Sequence, residues 1–128
     1  MSDFRSIFES HYTWIEGFMR NVRRYGEKLA MINPDDERQW TYTEMNKECN
    51  RLSNALINDG LQKADVIMLQ LINCPEFAFG YLAAHKSHAI CCPVNFRLKP
   101  GELAFNIDDS KPMAIIFNEV NKADVLEA

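Results

Sequence analysis

The sequence predicts an α/β protein: an N-terminal helix and a β-hairpin, followed by a parallel β-α-β-α-β unit. Segments 66–72, 89–94 and 113–117 are almost continuously apolar and evenly spaced along the chain. A strand exposed on one face alternates polar and apolar residues, whereas a strand buried on both faces does not. The intervals between the segments are long enough for helices that cover the two faces of a sheet. The patterning and the spacing together indicate a parallel sheet with right-handed helical crossovers.

The first element predicted along the chain is an amphipathic helix over residues 3–25. Its apolar side chains recur at three- and four-residue steps, and Gly17 allows a break in its middle. Such a stripe is typical of a helix that packs on its own domain; a surface for a partner or a membrane is the alternative. The apolar positions are Phe4, Ile7, Phe8, Trp14, Ile15, Phe18, Met19 and Val22.

A β-hairpin is predicted over residues 28–43. The apolar segment 28–32 and the aromatic and β-branched segment 38–43 flank a turn-forming run at 33–37. Thr43 is the predicted N-cap of the next helix. Gly60 is predicted to end that helix, since a residue without Cβ adopts a left-handed backbone at little cost.

Two further helices are predicted between the three apolar strands. Pro75 and Pro100 each open one of them, because the first turn of a helix does not use the N–H that proline lacks. The first of these helices is apolar nearly all round, which predicts deep burial. The second offers Leu103, Phe105 and Ile107 to the sheet.

The charge and hydropathy of the chain exclude several classes of protein. The chain has 128 residues and a net charge of −4, and it has no basic stripe of the kind that binds nucleic acid. No segment approaches the roughly 18 apolar residues of a membrane span, and acidic residues interrupt the N-terminus where a signal or transit peptide would have none. We therefore expect a cytoplasmic protein.

The cysteines and histidines predict no metal site. Four cysteines show no CxxC spacing and lie far in sequence from the histidines, which is typical of small buried side chains in a reducing compartment. Cys74 opens a helix, where a reactive thiol is the alternative to a capping or core residue. His85 and His88 have metal-ligand spacing without a third ligand, which favours a role at the helix C-terminus.

The search for a phosphate site finds one candidate residue. None of the five glycines forms a GxGxxG or a P-loop, and the turn over 73–76 has no glycine and carries Glu76. Arg97 follows the second parallel strand, at the carboxyl edge where open α/β sheets bind ligands. A phosphate contact and a solvated or structural arginine are the two interpretations of this position.

The last residues predict the start of another helix, with Asn121 as its cap. A sheet of three parallel strands also leaves at least one edge unpaired. Both features lead us to expect a larger fold than this segment provides. We expect an N-terminal amphipathic helical region over 1–27 and a partial α/β domain over 28–128 that stops before any phosphate-binding loop.

Three stretches of the sequence match motifs that occur together in one known family. Residues 40–45, WTYTEM, are similar to the motif (T/S)Y-x-E-L, and residues 82–95 are similar to L-A-x-x-x-x-G-A-v-x-x-P-v-N, with His88 in place of the glycine. Residues 96–112 continue in register, and residues 73–77, NCPEF, match N-x-x-E-f. Taken together, these stretches resemble the adenylate-forming (AMP-binding) acyl-CoA synthetases. The resemblance covers about residues 14–118 and is closest to medium- and long-chain fatty acyl-CoA ligases.

The resemblance implies an activity that this sequence carries only in part. Family enzymes activate a carboxylate with Mg-ATP to an acyl-adenylate, release pyrophosphate and transfer the acyl group to CoA. Their Ser/Thr/Gly-rich phosphate loop, aromatic–Thr-Glu stretch, ribose-binding Asp motif and C-terminal lysine are absent from this sequence. The resemblance therefore implies ATP, Mg²⁺ and CoA for the full-length enzyme, no cofactor for this chain alone, and no catalytic residue here. It implies that Asn95, Phe96 and Arg97 form part of the surface for the CoA nucleotide.

We therefore expect the N-terminal part of an ATP-dependent acyl-CoA synthetase, inactive as this chain alone. Its partner would be the remainder of the synthetase or a complementing polypeptide. The alternative is a stand-alone module that pairs with another chain through its sheet edge or its aromatic N-terminal helix. An unpaired strand of buried type also predicts self-association.

Overall fold

The computed structural model describes residues 5–6 and 11–128. The fold divides into two compact units, one up to Glu48 and one from Cys49 onward. The sequence predicted a different boundary, after residue 27, between the N-terminal helical region and the α/β domain. That boundary does not refer to compact units, and it stays a prediction. The two units are considered one at a time.

Helix α1 of the first unit comprises Trp14–Tyr25. It begins there because Thr13 has an extended backbone and its hydroxyl accepts a hydrogen bond from the Glu16 amide at 3.3 Å. The helix continues through Gly17, so the break that this glycine allows does not occur. The earlier part of the predicted helix, including Phe4, Ile7 and Phe8, lies outside the described residues.

The apolar side of α1 is half-buried within its own unit. The rings of Phe18 and Tyr25 both lie beside the ring of Tyr42, with centroid distances of 6.4 and 6.5 Å. Trp14, in contrast, is 55% exposed. The stripe therefore packs partly on its own domain, as predicted, without a fully buried residue in α1.

The predicted β-hairpin is confirmed. Strands β1 (Leu29–Ile32) and β2 (Gln39–Thr41) pair antiparallel. Asn33 donates its amide to the Arg38 carbonyl at 2.8 Å, which closes the turn. The Asp36 carboxylate accepts a hydrogen bond from the Arg38 side chain at 2.6 Å, so an ion pair shapes the polar tip.

Helix α2 comprises Tyr42–Asn58, and the predicted N-cap at Thr43 is wrong. Thr41 caps instead: its hydroxyl accepts from the Glu44 amide at 3.2 Å, and the Glu44 carboxylate accepts from the Thr41 amide at 2.9 Å. This is a capping box, in which each residue satisfies a backbone N–H of the other. The hydrogen bonds from the amide and hydroxyl of Thr41 lower the pKa of Glu44.

The second unit holds a parallel sheet of three strands, β3 (Val66–Gln70), β4 (Ile90–Pro93) and β5 (Ala114–Phe117). Their order is β4-β3-β5, with Val66 opposite Ile90 and Ile67 opposite Ala114. The predicted parallel sheet is confirmed, and its strands are one or two residues shorter than the apolar segments.

Helix α3 (Pro75–Lys86) covers one face of this sheet. Its residue Gly80 is close to the sheet: a Cβ there would lie 3.0 Å from a methyl group of Leu69. The predicted deep burial of α3 is confirmed. The core on this side joins α2, α3 and β3 and contains Leu56, Leu61, Ile67, Leu69, Leu71 and Ala84.

Helix α4 (Pro100–Ser110) links β4 to β5. Leu103 is fully buried, as predicted, whereas Phe105 is 71% exposed and the prediction that it faces the sheet is wrong. Residues two apart in a helix are about 200° apart around its axis, so Leu103 and Phe105 lie on opposite sides. A 3₁₀ turn, Glu119–Asn121, and helix α5 (Lys122–Glu127) follow β5, and α5 packs against α4.

Candidate functional site

The carboxyl ends of the three strands bring three loops to one edge of the sheet. The first strand of the unit, β3, lies in the middle, so the crossovers to β4 and from β4 to β5 run in opposite directions. Right-handed crossovers then place α3 and α4 on opposite faces. Open parallel sheets bind ligands beyond the carboxyl ends of their strands, where the connections diverge in this way.

The loops after β3 and β5 are joined at this edge by a side chain. The Ile72 amide donates a hydrogen bond to the Asn118 carboxamide oxygen at 2.7 Å, across 46 residues of sequence. Asn118 directly follows the last residue of β5. The bond holds the ends of β3 and β5 together at this edge, and the loop after β4 lies on the other side of β3.

The predicted site residues lie in that loop. The Asn95 carboxamide oxygen accepts a hydrogen bond from the Arg97 amide at 3.0 Å, and the Asn95 carbonyl accepts from the Leu98 amide at 3.1 Å. Asn95 therefore shapes its own turn, a role typical of asparagine. The carbonyl of Phe96 accepts from the side-chain amide of Asn121 at 2.6 Å, which ties the loop to the turn after β5.

Arg97 is one of two exposed cations in this loop, the other being Lys99. Its guanidinium lies 5.1 Å from the centroid of the Phe96 ring, within the range of a cation–π contact. The carboxylate of Glu102 accepts a hydrogen bond from the Lys99 amide at 3.1 Å and so caps α4 just beyond the loop. The structure thus leaves Arg97 accessible to an anion and holds it with an aromatic ring.

Sequence reasoning did not identify Gln70, which is fully buried at the end of β3. Neither polar atom of its side chain has a hydrogen-bond partner among the described residues. Its neighbour in the register of β5 is Phe117. The signal in the sequence is a single polar residue within the apolar segment 66–72 of a strand buried on both faces.

A second buried amide lies near the same edge. Asn121 is 6% exposed, and its side-chain oxygen has no partner within the part of the chain that the structure describes, although its nitrogen donates to Phe96. It precedes α5 as predicted, but its side chain does not cap that helix. Buried amides of this kind are costly unless they are satisfied, so they mark the carboxyl edge as a place for polar contacts.

The thiols have structural roles in this unit. Cys74 is the N-cap residue of α3 without a side-chain capping bond, and it packs against the core, which agrees with the core interpretation rather than the capping one. Burial, with a smaller effect from neighbouring Cys92, raises the pKa of the Cys91 thiol to about 11. A thiol with that pKa is not a nucleophile at neutral pH. All four cysteines lie in the described part of the chain, and none of them forms a disulfide there.

The two histidines do not share a site. The Nδ1 of His85 donates to the Tyr81 carbonyl at 2.8 Å, and the two rings lie 4.6 Å apart. His88 is exposed beyond the end of α3. Within residues 5–6 and 11–128 no group of three His, Cys, Asp or Glu side chains is placed to hold a metal ion. No helix of the same residues is long and apolar enough to cross a membrane.

Comparison with known proteins identifies relatives over most of the chain. The family model for the AMP-binding enzyme matches residues 18–128. The crotonobetaine/carnitine–CoA ligase of Citrobacter koseri is 39% identical over 95 residues, which cover 72% of this chain and 18% of the ligase. The protein of the same name from Salmonella typhimurium is 37% identical with the same coverage. The chain thus spans less than a fifth of the length of these curated relatives.

Solved structures share the fold. The N-terminal domain of FACL13 from Mycobacterium tuberculosis matches with a TM-score of 0.82 and 26% identity, over 88% of this chain and 28% of that domain. A benzoate CoA ligase from Burkholderia xenovorans matches with the same TM-score at 19% identity, over 88% of this chain and 23% of that chain. The second likeness concerns the fold alone.

Proposed function

Because this chain belongs to the AMP-binding enzyme family, we propose that it acts as the N-terminal part of an ATP-dependent acyl-CoA synthetase. The reaction is adenylation of a carboxylate, followed by transfer of the acyl group to CoA. The observation that carries the proposal is the family match over residues 18–128, supported by relatives that are CoA ligases. The cytoplasmic location predicted from the sequence, supported by four cysteines that form no disulfide among the described residues, belongs to this proposal.

The described residues of this chain do not fit ATP or Mg²⁺. Stabilising a transferring phosphoryl or adenylyl group needs positioned donors, a metal ion and a lysine, and the chain provides neither a glycine-rich cradle nor a cluster of metal ligands among its described residues. We therefore propose that ATP binding and the chemical steps belong to the rest of the enzyme, and that this chain alone is inactive.

For CoA the proposed contact is the loop after β4. Arg97 is exposed, and a guanidinium binds phosphate through two parallel N–H groups. Asn95 and Phe96 support this role indirectly, since they hold the turn and the ring beside Arg97. We propose that Arg97 binds a phosphate of the CoA nucleotide and that Asn95 and Phe96 position it.

The alternative function is a module that pairs with another chain through its sheet. The open outer edges of β4 and β5 favour it. Open edges are equally expected of a segment that belongs to a larger domain, so the edges do not separate the two functions. Ligase activity separates the two functions, because only a synthetase segment supports it when joined to the rest of the enzyme.

The test is a chimera of the Citrobacter koseri ligase in which residues 18–128 of this chain replace the matched segment. We expect carboxylate-dependent pyrophosphate release and acyl-CoA formation from the chimera, and neither from the 128-residue chain alone. A folded chimera without pyrophosphate release on any carboxylate of a broad panel would contradict the proposed function. Turnover by the chain alone would contradict its proposed inactivity.

Arg97→Ala in the chimera tests the CoA contact. We expect a higher KM for CoA with unchanged pyrophosphate release in the absence of CoA. Lys63→Ala is the matched control, because Lys63 is an exposed cation in the loop before β3, at the opposite edge of the sheet. Equal effects of both substitutions on the KM for CoA would overturn the assignment of Arg97.

A further inference from the structure

We propose that Asn121 is a positioning residue for Arg97, which it holds by binding the peptide group between Phe96 and Arg97. The inference rests on the proposed function, in which Arg97 binds a phosphate of the CoA nucleotide, and it extends that site to the turn after β5. Asn121 is buried and acts on CoA only through Arg97.

Both polar ends of the peptide group between Phe96 and Arg97 are held by asparagine side chains. Its carbonyl accepts a hydrogen bond from Asn121 Nδ2 at 2.6 Å, and its N–H donates to Asn95 Oδ1 at 3.0 Å. A trans peptide group is planar, and its C=O and N–H point in opposite directions. Two bonds on opposite sides of this plane therefore fix its rotation, and with it the direction in which the Arg97 side chain leaves the backbone.

The two asparagines differ in what they are attached to. Asn95 acts within its own turn, and a turn held only by its own hydrogen bonds can shift relative to the sheet. Asn121 reaches the loop from 25 residues further along the chain. Its amide donates to the Asn118 carbonyl at 2.8 Å, and the Asn118 side chain accepts from the Ile72 amide at 2.7 Å. Asn121 therefore connects Arg97 to the ends of β3 and β5, which give a binding side chain the rigid support that it needs.

The side chain of Asn121 serves the loop and not its own helix. Asn121 precedes α5, where an asparagine side chain usually caps the helix, but this one makes no capping bond. Its carboxamide oxygen is buried and has no partner among the described residues. One hydrogen bond gained and one buried oxygen left unsatisfied contribute little net stability. The contact with the Phe96 carbonyl is therefore better explained by the orientation of Arg97 than by the stability of the fold.

The orientation of Arg97 matters because a guanidinium binds phosphate through parallel N–H groups in a fixed geometry. Arg97 is exposed, and its guanidinium lies beside the Phe96 ring. Both side chains leave the backbone next to the peptide group that Asn121 holds. Loss of the bond from Asn121 leaves the charge of Arg97 in place and removes its orientation. We therefore expect weaker binding of CoA and little change in turnover at saturating CoA.

Asn121→Leu in the chimera described above tests the inference, because leucine keeps the shape of asparagine and removes the donor. We expect the KM for CoA to rise about threefold to tenfold, the equivalent of one net hydrogen bond, with little change in kcat. Asn106→Leu is the matched control. The Asn106 side chain also donates its Nδ2 to a backbone carbonyl, that of Glu102 at 2.7 Å, but it does so within α4. The control should leave the KM for CoA unchanged.

Combination with Arg97→Ala separates positioning from a general weakening of the fold. If Asn121 acts through Arg97, Asn121→Leu should change the KM for CoA by less than about twofold once residue 97 is alanine. Full additivity of the two effects would overturn the inference. So would an unchanged KM in Asn121→Leu when Arg97→Ala raises it, and the proposed function would then stand. If neither substitution raises the KM, the proposed CoA contact is itself contradicted, and the inference fails with it.

Amide exchange in the 128-residue chain gives a second measurement, which holds even if the chimera with Asn121→Leu does not fold. The amides of Arg97 and Leu98 both donate to Asn95. We expect both to exchange at least about threefold faster in Asn121→Leu than in the wild type, with no change in Asn106→Leu. Unchanged exchange at both amides would overturn the inference, because Asn121 would then not hold the turn.

Discussion

The amide of Ala64 donates a hydrogen bond to the carbonyl of His88 at 2.9 Å, and both residues have positive φ, 70° and 57°. The bond joins the loops that enter β3 and β4. His88 ends α3 in a Schellman motif, in which Ala89 donates to the Ala84 carbonyl at 2.9 Å and His88 donates to the His85 carbonyl at 3.2 Å. The family resemblance has glycine at this position, and the positive φ explains why.

A second Schellman motif ends α2, and it has glycine, the favoured residue, at the left-handed position. At the end of α2, Leu61 donates to the Leu56 carbonyl and Gly60 donates to the Ile57 carbonyl, and Gly60 has φ 105°. Leu56 and Leu61 belong to the core, which provides the hydrophobic contact that accompanies this motif. His88 therefore carries a steric cost that Gly60 does not.

His88→Gly should stabilise the chain. Relief of the Cβ contact in the left-handed region is worth about 1–2 kcal/mol, and the greater freedom of glycine in the unfolded chain offsets about half of it. We expect the free energy of unfolding, measured in urea, to rise by about 0.5–1 kcal/mol. His88→Ala keeps the Cβ and should give no gain; equal gains from both variants would point to the imidazole instead of the backbone.

Gln70→Met should also stabilise the 128-residue chain. The substitution keeps an unbranched side chain of similar size and removes two buried polar atoms that lack a partner among the described residues. We expect the free energy of unfolding to increase by about 1–3 kcal/mol. The exposed Gln62 provides the control, since Gln62→Met should change stability by less than about 0.5 kcal/mol. Destabilisation by Gln70→Met would mean that this amide is hydrogen-bonded in solution.

Thr41→Ala should destabilise α2. It removes the hydroxyl that accepts from the Glu44 amide, and loss of such an N-cap costs about 0.5–2 kcal/mol. Thr41→Ser retains the hydroxyl and is the matched control, which should lose much less in the same urea titration. Equal losses from Thr41→Ala and Thr41→Ser would assign the effect to the methyl group of Thr41 and not to the cap.

Cys91 should make the chain less stable at alkaline pH. Burial raises the pKa of its thiol in the folded state to about 11, from an ordinary value of 9.0. The unfolded state therefore loses this proton first, so the thiol's contribution to stability is full below pH 9 and is lost as the pH rises toward 11. Cys91→Ala should flatten the fall in the free energy of unfolding over this interval. Identical slopes for the wild type and the variant would contradict the shifted pKa.

Hydropathy and spacing alone predicted the elements of the second unit. A strand that is apolar along its whole length must be buried on both faces. Three such strands in succession are buried in this way when they form a parallel sheet whose helical crossovers cover both faces. The proline-initiated helices and the glycine after α2 follow from local backbone restrictions, which act within a few residues. For the same reason the hairpin was predictable from its turn. The family resemblance added the expected glycine at position 88.

Other features depended on tertiary contacts that no local pattern specifies. Thr41 rather than Thr43 caps α2 because β2 ends there, and Phe105 lies outside because Leu103 determines which side of α4 is buried. The bond from Ile72 to Asn118 and the burial of Gln70 require residues distant in sequence to meet at one edge. The strand order had the same origin: the sequence by itself determined which segments are strands, and the packing of the helices on the two faces decided the order of those strands in the sheet.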